Sequence, residues 1–149
     1  MKVVFLAFDG PIIPRLSYPP SGKQASAWPS CVAALNRITD TTGAKIVVSS
    51  VWRADGLMQC RKNLRGLGVT GPVLGITPHL FDGQTQLRRG HEIQAWMDDY
   101  EREEIEAFVI LDDDSDMEHL LPFLVKTPFE TGLTEEHADA AIKLLTSSS

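Results

Sequence analysis

The chain has 149 residues, of which 43% are apolar and 23% charged, with a formal net charge of −6. That is the make-up of a soluble globular fold, long enough to bury roughly two-thirds of its unfolded surface. No apolar run approaches the ~20 residues that cross a bilayer, and no small-residue cleavage site follows the first apolar run, so a membrane span and a secretory leader are not expected.

In chain order, Lys2 to Phe8 is a short β-rich apolar run, expected as a strand buried on both faces. Gly10 to Ala27 holds Pro11, Pro14, Pro19, Pro20 and Gly22 and reads as loop or irregular hairpin. Pro29 to Thr42 sets Val32, Leu35 and Ile38 at helical spacing, with Gly43 as its C-terminal stop. Lys45 to Val48 is a second strand-like run. Leu57, Cys60 and Leu64 then mark a helix ending near Gly66 or Gly68, and Val73 to Ile76 reads as a brief third strand.

The second half continues the alternation. Ile93, Trp96, Met97 and Tyr100 form a helical stripe over His91 to Tyr100, with the acidic "DDYEREE" as its solvated end. Phe108 to Leu111 is a fourth buried strand, stopped by three aspartates, and "FLVKT" an edge strand. Thr134 is placed to cap a last helix, with Glu135 and Glu136 in its first turn and Ala138, Ala141, Ile142 and Leu145 facing inward. Cys31 and Cys60 fall in separate helices and read as reduced thiols, which makes the expected location cytoplasmic.

Charge is unevenly spread. Between Val51 and Gly90 stand six bases (Arg53, Arg61, Lys62, Arg65, Arg88 and Arg89) and two acids (Asp55 and Asp82), giving +4 there and −10 elsewhere. A basic middle in an acidic chain suits a locally bound anion and argues against a non-specific duplex-binding surface; for Arg61, Lys62 and Arg65 a solvated helix face is the competing reading. Strands alternating with helices indicate α/β architecture with a mainly parallel sheet covered on both faces, and ligands of such sheets bind at the carboxyl ends of the strands. Here those ends carry Ala7-Phe8-Asp9-Gly10, Ser49-Ser50 and Asp112-Asp113-Asp114, oxygen donors that select a hard cation such as Mg²⁺.

These residues resemble the haloacid dehalogenase-like (HAD) phosphohydrolases. The family's first motif, an apolar strand followed by Asp-x-Asp-Gly, is matched by "VVFLAFDGPII" except that Ala7 stands in place of the first Asp. The second, a strand ending in Ser or Thr, is matched by "KIVVSS", with Ser49 in that role; the fourth, a strand ending in paired acids, by "FVILDDDSDM", with Asp112 and Asp113. "SSVWR", "RRGHEI" and "ILDDDSDM" look like the small capless phosphatase domains of nucleic-acid repair and phage proteins, related to polynucleotide kinase–phosphatases. The resemblance implies one three-layer, Rossmann-like domain over residues 1–149 without a large cap, about 146–149 being a frayed tail.

It also implies a mechanism. The residue at position 7 would be an aspartate that attacks phosphorus and forms a phosphoaspartate. Asp9 would protonate the leaving oxygen and then deprotonate the attacking water. Mg²⁺ would be held by the nucleophile, Asp9 through its backbone carbonyl, and Asp112 or Asp113. Ser49 and a basic residue of the third motif would bind the phosphoryl oxygens, with Gly10, Ser50, Arg53 and Arg88 around the substrate. For the third motif Arg89, just ahead of a helix, is preferred, with Arg88 as rival and Lys62 the lysine between the second and fourth motifs. The implied partner is a phosphorylated small molecule or a nucleic-acid end; no membrane and no obligate protein partner are implied.

Ala7 has no oxygen with which to attack or to bind a metal. Two readings stay open: a working phosphatase inactivated at position 7, or a natural relative that binds a phosphorylated ligand without turnover. Competing readings of single residues are a calcium loop at Asp112, Asp114 and Asp116, which lacks the glycine and final Glu at Met117 and Phe123, and a surface salt link for Arg53. A receiver domain fits less well, because its paired acids follow the first strand. His79, His91, His119 and His137 show no zinc spacing and are expected at the surface or at caps.

Overall fold

The computed structural model describes residues 1–14, 28–82, 85–86, 88–99 and 105–147, with the backbone alone at 51–52, 81–82 and 85–86. Five strands form one parallel sheet: β1 (Lys2–Leu6), β2 (Lys45–Val48), β3 (Val73–Ile76), β6 (Ala107–Asp112) and β7 (Leu124–Lys126), in the order β3-β2-β1-β6-β7. β4 (Phe81–Asp82) and β5 (Thr85–Gln86) pair separately as a small antiparallel hairpin. The helices are α1 (Pro29–Thr42), α2 (Leu57–Leu67), α3 (Arg89–Asp99) and α4 (Glu135–Thr146).

The alternating residues of β1 divide the core in two. Val4, Leu6 and Phe8 join a cluster with side chains of α1, α2 and α4, while Val3 and Phe5 join Ile93, Trp96 and Met97 of α3 and Leu120 of the 3₁₀ turn Glu118–Phe123. The sheet is thus sandwiched between α1, α2 and α4 on one side and α3 with that turn on the other. Phe5 meets Trp96 and Phe108 edge to face at 5.7 and 5.8 Å, so the middle of β1 fixes α3 through aromatic packing.

Most expected elements are present. α1 begins at Pro29 and ends on Gly43, and α2 runs to Leu67 with Gly68 as its cap. The cap of α4 is Thr134, whose Oγ1 accepts from the His137 amide at 3.4 Å, while Nδ1 of His137 accepts from the Thr134 amide at 3.0 Å. Cys31 and Cys60 are buried thiols.

One expectation is corrected, and several short elements were not anticipated. α3 starts at Arg89 instead of His91, so Arg89 is the first helical residue rather than one ahead of the helix. The two-residue strands of the β4–β5 hairpin, and the 3₁₀ turns Val51–Asp55 and Glu118–Phe123, are too short to leave a periodicity. The last helix ends at Thr146. Most of the expected loop over 10–27, and residues 100–104 of the acidic run, lie outside the described residues. Among the described residues no helix is long and apolar enough to cross a membrane.

Candidate active site

The strand order creates one crevice. From β1 the chain steps outward through β2 and β3, then returns to β6 on β1's other side, so the order switches between the carboxyl ends of β1 and β6. The residues just past each strand complete the ladder there: the amide of Ala7 donates to the Leu111 carbonyl (3.1 Å), Ser49 to Leu6 (2.8 Å), Thr77 to Val48 (2.9 Å) and Thr127 to Asp112 (3.0 Å). Residues from four separate stretches therefore stand in register along a single edge.

Between β1 and β6 this edge holds a cavity of about 140 Å³ lined by Ala7, Asp9, Ser50, Arg89, Asp112, Asp113 and Asp114. The loop after β1 turns tightly, the Gly10 amide donating to the Ile13 carbonyl at 2.9 Å. Gly10 has a φ of +105°, and a Cβ there would stand 2.9 Å from Cγ of Asp113. Only glycine allows both that backbone and that approach, so Gly10 brings the two acidic loops together.

Asp112 is 4% exposed, and its carboxyl is pushed up to about 7, first by burial and then by a hydrogen bond shared with Asp113. The Asp114 amide, donating to its Oδ1 at 3.1 Å, and the nearby Arg89 oppose that rise. Two crowded acids, one of them buried, form a place that a cation would relieve.

Arg89 is aimed by two bonds. Its Nη1 donates to the Ser49 carbonyl at 2.7 Å, and its backbone amide donates to Oδ2 of Asp116 at 3.2 Å. Arg88 is different: two-thirds exposed, it pairs with Glu118 at 3.1 Å. Lys62 is exposed on α2 and is not among the cavity's lining residues. Arg89 is the cation that the fold delivers to the crevice.

Ser49 is buried just behind the cavity's lining residues, and among the described residues its Oγ has no hydrogen-bond partner. Arg53 is 3% exposed: Nη1 donates to the Ser50 carbonyl (3.0 Å) and Nη2 to Oε1 of Glu92 (2.9 Å). The competing reading of Arg53 as a salt-link residue is met by a buried pair instead of a surface one, and Arg53 is not among the crevice's lining residues. Burial, and next the positive charge of Arg89, pull the Arg53 guanidinium below its ordinary pKa.

Four structural contributors escaped the sequence reading. Glu92 is fully buried and accepts also from the Leu80 amide at 2.9 Å; nothing local marks an acid beside an apolar stripe as buried, and its partner lies 39 positions away. Thr127, whose buried Oγ1 has no partner among the described residues, abuts Asp112 through its backbone. Asp116 and Gly90 seat the start of α3; an acid shortly after the paired aspartates, and a glycine in the first turn of a helix, were the available signals.

Among the described residues, no three side chains of Asp, Glu, His or Cys are gathered closely enough to make a metal cluster by themselves. Mg²⁺ asks for less: one or two carboxylates, with water and substrate phosphate completing its octahedron. Asp112 and Asp113, facing a cavity that Asp9 also lines, meet that requirement in donor type and number.

Searches of the curated proteins and of the solved structures find no match. A family model described as the HAD domain in Swiss Army Knife RNA repair proteins matches residues 3–138. That match runs from β1 into the first turn of α4 and takes in every residue lining the crevice, and the chain belongs to this family of HAD domains.

Proposed function

We infer that the crevice is a phosphomonoester site of the HAD type that works on the terminal phosphate of a nucleic acid, RNA in the first instance, and that Ala7 occupies the nucleophile's position. The carrying observation is the meeting of Ala7, Asp9, Arg89, Asp112 and Asp113 around one cavity at the switch in strand order. The family's description supplies the nucleic-acid setting.

With an aspartate at position 7, its carboxylate would attack phosphorus as Asp9 gave a proton to the departing oxygen. Asp9 would then take a proton from a water that attacks phosphorus and frees the aspartate. Arg89 offers a planar fork to the phosphoryl oxygens, and the unpartnered Ser49 hydroxyl a further donor. Asp112 and Asp113 are the residues to hold Mg²⁺, which supplies charge neutralisation at the phosphoryl group when bound.

As the chain stands, the methyl group of Ala7 supports binding without turnover, and the second reading, a natural phosphate binder, rests on that same residue. Hydrolysis by Ala7→Asp separates the two. Aryl phosphate and 3′- or 5′-phosphorylated oligonucleotides, with Mg²⁺, are the substrates to assay. Turnover gained by at least ~10³-fold supports the phosphatase reading. A folded Ala7→Asp protein that leaves every substrate intact favours the binder.

A further inference from the structure

A second cavity, of about 430 Å³, opens at the carboxyl end of β3, walled by Arg53, Ile76, Thr77, Pro78, Trp96 and Asp99 together with Ala54 and His79. It is on the same edge as the crevice. Thr77 is in the row that passes through Ser49 to Ala7, two strands away, and strands lie about 4.8 Å apart, so the Thr77 and Ala7 backbones are about 10 Å apart. Arg53 joins them physically, being part of this wall and bonded to the carbonyl of Ser50, which lines the crevice.

The walls have a definite chemistry. The Trp96 indole is held by Phe5 edge to face and by the bare Gly75, where a Cβ would stand 3.2 Å from Nε1. It is a fixed aromatic surface, extended by the apolar faces of Ile76 and Pro78. Buried Arg53 backs the wall with its guanidinium, and Thr77 and Asp99 add further polar groups. Flat apolar walls with a few donors and acceptors suit a nucleobase, and the volume is that of a small-ligand site. Asp99 argues against a second phosphate, which its carboxylate would repel, whereas it can accept from a base N–H.

We propose that this cavity binds the base of the nucleotide whose phosphate enters the crevice, so that the substrate is an unpaired terminal nucleotide. The proposal rests on the phosphate-site reading above and adds a base-recognition site to it. A flush duplex end, its base stacked and paired, would have to open before that base could enter.

Calorimetric titration of the chain as it stands, with Ala7, tests this using inorganic phosphate, adenosine, 3′-AMP and 5′-AMP. At least one nucleotide is expected to bind 10-fold or more tighter than inorganic phosphate. Ala54→Trp, at an exposed position in the cavity wall, should remove that advantage. Asp99→Ala, at an exposed helix end, should reduce it at least threefold and serves if Ala54→Trp fails to fold. Equal affinity for nucleotide and phosphate, or an advantage that survives in a folded Ala54→Trp protein, overturns the proposal. Adenosine binding that Ala54→Trp abolishes, with no phosphate binding at all, would support the base site while overturning the phosphate site.

Discussion

Gly90 and Met117 are in such close contact that a Cβ on Gly90 would run into the Met117 carbonyl. The Gly90 amide donates to the Asp116 carbonyl (3.0 Å) and the Arg89 amide to the Asp116 carboxylate (3.2 Å). The first turn of α3 is therefore seated on the segment following β6, which fixes Arg89 relative to Asp112 and Asp113. Gly90→Ala should cost about 1–3 kcal/mol in urea unfolding, the usual penalty of forced overpacking. It should also weaken phosphate binding by displacing Arg89. A variant with unchanged stability and unchanged affinity would show that this contact does not set the site.

Asp112 predicts an unusual pH dependence. Its folded pKa, about 7, lies above the ordinary 3.8. Between those values the folded chain keeps a proton that the unfolded chain has lost. Asp112 is thus least costly below about pH 4, and stability falls as the pH rises toward 7, by at most about 1.4 kcal/mol per unit. In chelator, Asp112→Asn should flatten that slope and raise the melting temperature at pH 7. At pH 7.5, Mg²⁺ should stabilise the parent chain and have a much smaller effect on Asp112→Asn. Melting curves across pH 4–8 decide it, and a parent chain that gains stability steadily to pH 7 in chelator would contradict it.

Ser49 should show opposed effects on stability and binding. Its buried hydroxyl has no partner among the described residues, a situation that usually costs about 1–3 kcal/mol. Ser49→Ala is therefore expected to leave the chain as stable as before or up to about 1 kcal/mol more stable. If the hydroxyl is held in readiness for a phosphoryl oxygen, the same change should weaken phosphate binding about tenfold. Paired measurements of denaturant midpoint and phosphate affinity test this, and a loss of stability without loss of affinity would make Ser49 purely structural.

Much of this site was legible because its chemistry sits at strand ends. An apolar run that stops on Asp9-Gly10, on Ser49 or on Asp112-Asp113 announces both the strand and the edge at which it ends, and a parallel sheet puts those ends together. Arg89 was harder. Its basic neighbour Arg88 is chemically identical, and only the onset of α3 decides which guanidinium turns inward. Glu92, Thr127 and the base-sized cavity depend on contacts between elements far apart in the chain, for which periodicity and local motifs carry no information.

The division of labour between the two arginines gives a direct comparison. In an Ala7→Asp protein that turns over phosphomonoester, Arg89→Ala should reduce kcat/KM by about 10²–10³-fold, the usual cost of removing a donor aimed at developing charge. Arg88→Ala should change kcat/KM by less than threefold and stability by within about 0.5 kcal/mol, because its ion pair with Glu118 is exposed. The reverse ranking would place the phosphate on the other side of the start of α3.

The buried pair of Arg53 and Glu92 ties three segments together: the turn after β2, the chain after β3 through the Leu80 amide, and α3. Neither side chain reaches water appreciably, so removing one charge strands the other. Glu92→Ala should destabilise the chain by about 3–5 kcal/mol, as expected when a buried pair is broken from one side. Replacing both, as in Arg53→Met with Glu92→Leu, should recover much of that loss, since two apolar groups carry no desolvation cost. Binding should respond differently. The double variant, though folded, has lost the Arg53 guanidinium that backs the wall of the second cavity and should bind nucleotide no more tightly than inorganic phosphate. Recovery of stability together with full nucleotide preference would show that Arg53 serves the fold alone.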